Sequence, residues 1–401
     1  MNTHFSRRQL LEEFRGLLGL AALIEPSWPL NRAFALGSPQ DASRSPNTGQ
    51  AMIVYSREYL TLEMPMSRLS SWITPLESFY VRNNLLMPQI DVSNWRLRVT
   101  GEVERPLTFT FPEFIELTSA SVTNTIECAG NGRANFEPKI NGVPWGRGGV
   151  GNALFEGPRL ANVLRLAGLT PRAKQVAFRG MDVLPREGMP EFIRSIPIAK
   201  ALDPHTLLAT KMNGMPLTPE HGFPVRSLVP GWIGAASIKW LQEIQALPHE
   251  FRGPYMNPGY TIPAAGQDSN DTRERAATPI TSLRIKSIIA QPADGALLVL
   301  PSEGAITVRG ASWAGESAVE RVEISTDEGR SWHLATLDSE HARYAWRLWH
   351  FEWRPDRPGK YAIFSRATDR SGRAQPMTSR WNPGGYLWNG VDKVHVQIEP
   401  S

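Results

Sequence analysis

The sequence has 401 residues, with 43 Lys and Arg against 39 Asp and Glu, which leaves a formal net charge of +4 at pH 7 with neutral histidine. The charges are dispersed along the chain, so nucleic acid is not an expected partner. A single cysteine excludes an internal disulfide framework. The length allows two or three domains.

The first 35 residues have the features of an export signal. Ser6-Arg7-Arg8-Gln9-Leu10-Leu11 resembles a twin-arginine motif, residues 16–24 form a short apolar run, and Ala33-Phe34-Ala35 fits a cleavage site. Glu12 and Glu13 are unusual in such signals, and the alternative is an amphipathic N-terminal helix. No later stretch reaches the ~18 apolar residues that span a bilayer. We therefore expect twin-arginine export to the periplasm, without stable membrane insertion of the mature protein.

Residues 50–263 have a mixed α+β pattern. The runs at 95–99 and 175–178 predict strands, and the spacing of apolar residues at 159–167 predicts a helix. Pro and Gly are scattered among apolar segments, which is typical of a fold rich in loops and not of a disordered chain.

The lone cysteine lies in the segment TIECAGNGR, residues 125–133. Taken alone, Cys128 is expected to be a small buried apolar residue. Its context favours a ligand for a soft metal, because such metals bind thiolates, Arg133 is expected to lower the pKa of the thiol, and Gly130 and Gly132 let the backbone approach a bulky group. With a single thiolate from the protein, the remaining metal ligands must come from elsewhere.

The stretch GRGGVG at residues 146–151 matches the dinucleotide motif G-x-G-x-x-G. No clear strand leads into it, and residues 157–181 contain no Asp or Glu to bind a ribose hydroxyl, so we reject a dinucleotide site. The eight histidines form no H-E-x-x-H motif, and one cysteine cannot form C-x-x-C-H. Zinc and covalently attached haem are therefore not expected.

A second polar constellation occupies residues 220–226 (EHGFPVR) and 230–240 (PGWIGAASIKW). Proline and glycine alternate around His221, Arg226 and Lys239, which is the composition of a loop system that binds an anion. Each of these cations alone is expected to be a solvated surface group. Their apolar neighbours favour the anion-binding interpretation.

Residues 264–280 are mostly small and polar, which predicts a linker. Residues 281–401 contain short alternating runs separated by turns, and the segment 327–330 is typical of a hairpin. These features predict an immunoglobulin-like β-sandwich without paired cysteines. The predicted strands in this region are 306–309, 319–325, 332–334 and 361–367.

Taken together, these motifs occur in the order found in one enzyme family. The sequence resembles the sulfite oxidase family of molybdopterin enzymes over nearly the whole mature chain. The resemblance rests on the cysteine segment, on H-G-F-P-V-R at 221–226, on G-x-x-x-x-K-W at 234–240 and on the trailing sandwich. It implies an α+β fold, with a mixed molybdopterin-binding catalytic domain followed by an immunoglobulin-like dimerisation domain.

The resemblance implies a molybdenum ion held by molybdopterin, with Cys128 as the one protein ligand. In the family's pattern, His221, Arg226 and Lys239 hold the pterin and its phosphate, and a carboxylate at the position of Asp182 accepts hydrogen bonds from the pterin. The residues implied to bind the cofactor are Tyr80, Val81, Arg82, Asn83, Asn84, Asp182, His221, Arg226, Ser237, Ile238 and Lys239.

The resemblance also implies a substrate pocket for a small oxyanion, with Arg82, Arg133, Trp145 and Tyr260 as catalytic candidates. Guanidinium groups suit sulfite because their donors match its oxygens in a fixed geometry. The hydroxyl of Tyr260 can donate a hydrogen bond to the substrate or to a metal-bound oxygen.

Two positions depart from the family's pattern. Asn84 stands where the family has histidine, and it offers a donor and an acceptor but cannot titrate. Gly385 stands where animal sulfite oxidases carry a further substrate arginine. The pocket should therefore be less positive, and the substrate range could differ.

These observations predict a molybdenum-dependent sulfite dehydrogenase that oxidises sulfite to sulfate. No haem domain is recognisable, so a separate c-type cytochrome is the expected electron acceptor. The sandwich is expected to form a homodimer, for which Trp346, Trp349 and Trp353 are candidate exposed contacts. The alternatives are sulfoxide or nitrate reduction on the same cofactor, and a cofactor-free periplasmic binding protein in which Cys128 is merely buried.

Overall fold

Strands form most of the regular structure of this protein. A computed structural model describes residues 51–263 and 277–400, all within one compact unit. The predicted export signal at 1–35 and residues 264–276 of the predicted linker lie outside the described residues. Residues 277–279, assigned to the linker from sequence, form a strand instead.

The part before residue 264 contains fourteen described strands and three short α-helices. The strands are β1 (Ile53–Ser56), β2 (Thr61–Glu63), β3 (Arg96–Gly101), β4 (Leu107–Thr110), β5 (Ser119–Glu127), β6 (Val150–Pro158), β7 (Gln175–Gly180), β8 (Ile193–Pro197), β9 (Leu207–Ala209), β10 (Lys211–Met212), β11 (Met215–Pro216), β12 (Arg226–Leu228), β13 (Leu241–Leu247) and β14 (Thr261–Pro263). The helices are α1 (Phe111–Ile115), α2 (Leu160–Ala167) and α3 (Ile198–Ala201).

Two larger sheets organise this part of the chain. One has the order β4-β3-β13-β7-β8, with β3 and β13 parallel and the other neighbours antiparallel. The other is antiparallel, with the order β11-β10-β6-β5. Its longest pairing joins β5 to β6 from Ser119 and Pro158 to Glu127 and Val150. That pairing carries the chain to Cys128, the first residue after β5.

Helix α2 has the apolar spacing that the sequence predicts for 159–167. Leu160, Val163 and Leu164 are fully buried in the same cluster as residues of the five-stranded sheet. Gly168 ends the helix with a φ of +70°, a conformation that costs little for glycine, and its amide is bonded to the carbonyl groups of the last turn. Among residues 51–263 and 277–400, no helix is long and apolar enough to cross a membrane.

The part after residue 276 folds into two further sheets. Its strands are β15 (Ala277–Pro279), β16 (Lys286–Gln291), β17 (Ala296–Val299), β18 (Ile306–Trp313), β19 (Val319–Ser325), β20 (His333–Leu334), β21 (Thr336–Leu337), β22 (Arg347–Trp353), β23 (Gly359–Asp369) and β24 (Asp392–Glu399). One sheet has the order β16-β18-β22-β21 and the other the order β17-β24-β23-β19-β20. β15 pairs with β14.

Apolar residues of these two sheets share one buried cluster, which includes Ile289 and Val308 of one sheet and Val322 and Val394 of the other. Such a shared interior is the arrangement expected of packed sheets. The predicted hairpin at 327–330 is confirmed, since β19 and β20 pair on either side of it.

The tryptophans proposed from sequence as exposed dimer contacts are buried. The exposed fractions of Trp346, Trp349 and Trp353 are 0%, 1% and 5%. That interpretation was wrong, because the side chains fill cores: Trp349 and Trp353 lie in the cluster between the two C-terminal sheets, and Trp346 lies in a different one.

The cluster around Trp346 joins the two parts of the chain. It combines Met64, Val150 and Ile233 with Ile288 and Trp313. Hydrogen bonds cross the same boundary, because the indole of Trp346 donates to the carbonyl of Trp72 at 2.8 Å and the Trp346 amide donates to the Thr125 hydroxyl at 2.7 Å. Deleting residues 281–401 would therefore expose a core and would not release an intact first part.

We predict that Trp346→Ala lowers the free energy of unfolding by about 3 to 5 kcal/mol, because it empties a site in this shared core. Trp381→Ala is the matched control, since Trp381 is 42% exposed; its cost should be about 1 kcal/mol or less. Chemical denaturation of both variants measures the difference. Equal losses would contradict the role of this core.

Candidate active site

One cavity collects side chains that are far apart in the sequence. It encloses about 660 Å³ of empty space, a volume that includes open solvent. Its lining comprises Phe79, Tyr80, Val81, Arg82, Asn83, Asn84, Ile126, Cys128, Asp182, Phe192, Glu220, His221, Arg226, Gly234, Ala235, Ser237, Ile238, Lys239, Trp240 and Tyr260. Of the residues predicted from sequence, all line this cavity except Arg133 and Trp145.

Cys128 enters the cavity from the turn that follows β5. Its amide donates to the carbonyl of Gly149 at 2.8 Å, which continues the pairing of β5 with β6 by one bond. The Asn131 amide returns to the Cys128 carbonyl at 2.9 Å, and Gly132 adopts a φ of +90°. The turn therefore presents the thiol to the cavity, where Cys128 is partly exposed.

The prediction for the pKa of Cys128 needs a correction. Burial raises the pKa of the thiol above its ordinary value, and this effect exceeds the lowering by the guanidinium groups of Arg82 and, to a smaller extent, Arg133. The nearby arginines oppose the shift without reversing it. A thiol in such a cavity can still lose its proton when a metal cation binds to it, since metal binding to cysteine releases the proton.

Three basic side chains, those of His221, Arg226 and Lys239, form one wall of the cavity. Arg226 begins β12 and donates to the carbonyls of His221 at 3.0 Å and Ser237 at 3.3 Å. The ammonium group of Lys239 contacts the side-chain oxygen of Asn83 and donates to a backbone carbonyl at 2.8 Å. These bonds hold the donors in fixed directions.

Burial of these groups is costly in the ligand-free protein. Burial, together with the charges of Lys239 and Arg226, lowers the pKa of His221 to about 3. Burial, followed by the charge of Arg226, lowers the pKa of Lys239 to about 7. Asp182 shifts in the opposite sense, because burial raises its pKa to about 6 against the attraction of Lys239. A bound anion would stabilise the charged forms of both basic groups.

The cavity also leaves polar atoms unpaired. Within the described residues, the side-chain nitrogen Nδ2 of Asn83 and Nε of Arg226 have no hydrogen-bond partner. Buried polar atoms usually have one, so these donors point to a ligand. The lining therefore fits a polar, anionic ligand such as a pterin with a phosphate.

Arg82, Asn84 and Tyr260 lie together at the cavity. Arg82 donates to the Asn84 side-chain oxygen at 2.9 Å. The Tyr260 hydroxyl is 3.0 Å from Asn84 Nδ2 and 3.1 Å from Asn84 Oδ1. Asn84 therefore links the arginine to the tyrosine by hydrogen bonds that do not require a titrating group.

Arg133 does not line the cavity. Its guanidinium donates to the carbonyls of Val143 and Gly384, both at 3.0 Å, and lies 5.4 Å from the ring centre of Tyr386. A Cβ atom at Gly385 would be 2.8 Å from Arg133 Nε, and Gly385 has a φ of +59°. The glycine that departs from the family's pattern thus makes room for Arg133, which stays near enough to Cys128 to influence its pKa.

Trp145 is also set back from the cavity. It is fully buried, and its ring meets the edges of Tyr80 and Tyr55 at centre distances of 6.0 and 5.4 Å. Trp145 therefore supports a lining residue, Tyr80, and does not itself line the cavity.

Two neighbours of Tyr260, one aromatic and one basic, were not predicted from the sequence. The Tyr386 ring stacks on the Tyr260 ring at 5.3 Å, and the guanidinium of Arg194 lies 5.0 Å from the Tyr260 ring centre. Arg194 reads as an ordinary strand residue in the sequence. For Tyr386, the only indication in the sequence is an aromatic residue directly after the glycine pair 384–385.

The rejected glycine motif has a structural role. The amides of Gly146 and Gly148 donate to the Glu63 carboxylate at 2.9 and 2.8 Å. The motif runs into strand β6 and not into a helix. Its donors therefore bind a side chain of the same protein, which agrees with rejection of a dinucleotide site.

No group of three metal-binding side chains converges anywhere in residues 51–263 or 277–400. A metal at Cys128 would thus take its other ligands from a cofactor or from small molecules.

We predict that His221 makes stability fall as the ligand-free protein is acidified. Its ordinary pKa of 6.5 falls to about 3 in the fold, so the unfolded chain takes up a proton below pH 6.5 while the folded chain does not. This contribution of His221 to the free energy of unfolding is fully present above pH 6.5 and is lost as the pH falls towards 3. Between pH 7 and pH 5 the loss should be about 2 kcal/mol.

His221→Gln should remove this contribution, so the variant should lose about 2 kcal/mol less than the parent protein over the same interval. Urea unfolding at both pH values measures the difference. Parallel losses in the two proteins would show that His221 is not held neutral.

Two domain models and several sequence relatives match this chain. Residues 84–255 match a family model described as the oxidoreductase molybdopterin binding domain, and residues 277–399 match one described as the Mo-co oxidoreductase dimerisation domain. The mitochondrial sulfite oxidase of Drosophila melanogaster is 36% identical over 90% of this chain and 66% of its own length. The sulfite oxidase of Arabidopsis thaliana is 32% identical over 90% of this chain and 98% of its own length.

A solved structure supports the fold. The sulfane dehydrogenase SoxCD from Paracoccus pantotrophus superposes with a TM-score of 0.74 over 92% of both chains, at 24% identity. This likeness bears on architecture alone. The sequence matches to the Drosophila and Arabidopsis enzymes and to the two domain models establish that the chain belongs to the sulfite oxidase family and is a molybdenum- and molybdopterin-dependent oxidoreductase.

Proposed function

We propose that this enzyme oxidises sulfite to sulfate. The observation that carries the proposal is that one cavity contains the only thiol of the chain, a wall of basic side chains and an arginine, Arg82, linked to Tyr260 through Asn84. Sulfite is a small anion with oxygens that accept hydrogen bonds from guanidinium and phenol groups. The sulfite oxidases among the relatives support the same substrate.

The cofactor would be held by the basic wall and by Cys128. Arg226 and Lys239 would bind the phosphate, the unpaired Asn83 amide nitrogen would donate to the pterin, and Cys128 would be the protein's ligand to molybdenum. When bound, the cofactor supplies oxygen-atom transfer and accepts two electrons. The protein supplies position, an electrostatic field and limited access of water.

The substrate would bind beside Arg82, Asn84 and Tyr260. One terminal nitrogen of Arg82 bonds to Asn84. The remaining N–H donors of the guanidinium would be free to bind two sulfite oxygens. The Asn84 amide would orient both neighbours without itself titrating. Arg133 would shape the pocket from behind Tyr386, and Trp145 would support it through Tyr80.

We further propose that electrons leave to a separate c-type cytochrome, that the enzyme is a homodimer and that it is periplasmic. The family description of residues 277–399 supports dimerisation. The twin-arginine pattern at residues 6–11 supports export. Cell fractionation and light scattering test the last two points directly.

We predict that the purified enzyme reduces an artificial acceptor when sulfite is added and that Cys128→Ser abolishes this reaction. The serine hydroxyl is a poor ligand for a soft metal and should not replace the thiolate. Initial rates, divided by the molybdenum content of each sample, measure the effect. The far-ultraviolet circular dichroism of the variant should match that of the parent enzyme.

Other outcomes of this assay identify the alternatives. A Cys128→Ser enzyme with normal sulfite turnover would remove Cys128 from the site. Turnover with nitrate or a sulfoxide and none with sulfite would favour another reaction on the same cofactor. Protein purified from cells that synthesise the cofactor, yet free of molybdenum, would favour a binding protein.

We predict different effects for the two arginines. Arg82→Gln should lower kcat/KM for sulfite by about ten- to a hundredfold, because it removes a charge-assisted contact worth roughly 1.5 to 3 kcal/mol. Arg82→Lys should be milder, since it keeps the charge and loses the paired donors. Arg133→Gln, the matched comparison, should mainly lower the melting temperature because Arg133 binds two carbonyls.

Steady-state kinetics normalised to molybdenum, together with thermal unfolding, separate the two roles. A loss of kcat/KM in Arg133→Gln as large as that in Arg82→Gln would place Arg133 at the substrate. Unchanged kinetics in Arg82→Gln would exclude Arg82 from substrate binding.

A further inference from the structure

The residue before Cys128 is a buried carboxylate held by the C-terminal part of the chain. Glu127 is 3% exposed. One of its oxygens contacts the ammonium group of Lys286 and accepts from the Asn131 side chain at 2.9 Å. Its other oxygen accepts from the indole nitrogen of Trp313 at 2.8 Å. The three donors occupy both oxygens from different directions.

Lys286 is itself enclosed. It is 2% exposed, and its ammonium group lies 5.7 Å from the ring centre of Trp313 and 5.6 Å from that of Trp388. It also donates to the Asn131 carbonyl at 3.4 Å. Lys286 opposes Trp313 across the paired strands β16 and β18. A rigid sheet therefore presents both donors to Glu127.

The other side of Cys128 is held in the same way. The amide of Leu387 donates to the carbonyl of Ala129 at 2.8 Å. Both chain neighbours of Cys128 are thus bonded to residues beyond position 280. Removing two charges from water for stability alone brings little net gain compared with apolar packing. The buried Glu127–Lys286 pair is better explained as a contact that fixes the position of the turn carrying Cys128.

We propose that Lys286 and Trp313 are positioning residues that set the direction of the Cys128 thiolate through Glu127. The C-terminal part would then complete the active site within one chain, in addition to any role in dimerisation. A metal ligand must be held within about 0.5 Å and 10–20° of its working geometry. The inference rests on Cys128 being the molybdenum ligand of the proposed function.

The test compares full-length, molybdenum-loaded Lys286→Met and Trp313→Phe with the parent enzyme. Trp313→Phe keeps the aromatic packing and removes only the donor to Glu127. Both variants should change the electron paramagnetic resonance spectrum of the partly reduced metal, which depends on how the thiolate is oriented. Sulfite kcat per molybdenum should fall about tenfold, with KM within about twofold, because no substrate contact is lost.

The matched control is Glu316→Gln. Glu316 accepts from Lys200 at 2.8 Å and from the Trp232 indole at 3.3 Å, so it also joins the two parts of the chain, but its described contacts lie away from the Cys128 turn. This variant should lower the melting temperature and leave the spectrum and kcat unchanged.

Wild-type spectra and kcat in both Lys286→Met and Trp313→Phe, with only lower melting temperatures, would overturn the proposal. If Lys286→Met does not fold, Trp313→Phe decides alone. The spectrum does not depend on the substrate. A parent enzyme that binds molybdenum but does not oxidise sulfite would therefore refute the proposed function and leave this comparison valid.

Discussion

The burial of basic side chains together in one cavity is the constraint on which the site depends. Arg226, Lys239 and His221 lie together in it, and burial lowers the pKa of His221 to about 3 and that of Lys239 to about 7, which reflects the cost of charging them away from water. An anionic cofactor relieves it by replacing the lost solvation. The ligand-free protein is therefore preorganised for a phosphate and a polar ring system.

Small residues and well-bonded turns make this arrangement possible. Glycine at 385 lets Arg133 pack against Tyr386, and glycines at 146 and 148 let the backbone close on Glu63. In each case a Cβ atom would collide with the group that now occupies the space. These glycines therefore allow close packing of residues that do not themselves line the cavity.

The two parts of the chain depend on each other through apolar packing and through the Cys128 turn. A shared core around Trp313 and Trp346 links them, and the Glu127–Lys286 pair lies at the edge of that core. Close packing makes the interior resistant to small displacements. Cys128 consequently lies on a turn whose position both parts determine.

The sequence by itself predicted α2 and several strands from periodicity. The thiol and cation motifs identified Cys128, His221, Arg226 and Lys239 of the cavity lining, and the resemblance to the family implied the other lining residues named from sequence. These features follow from spacing along one segment, or from the donor and charge types that a residue carries wherever it lies. Tertiary structure alone decided that Trp346, Trp349 and Trp353 are buried, that Arg133 and Trp145 stand behind the lining, and that Lys286 meets Glu127. Each of these depends on which distant segment supplies the neighbouring atoms, and a residue's burial and partners are set by those long-range contacts.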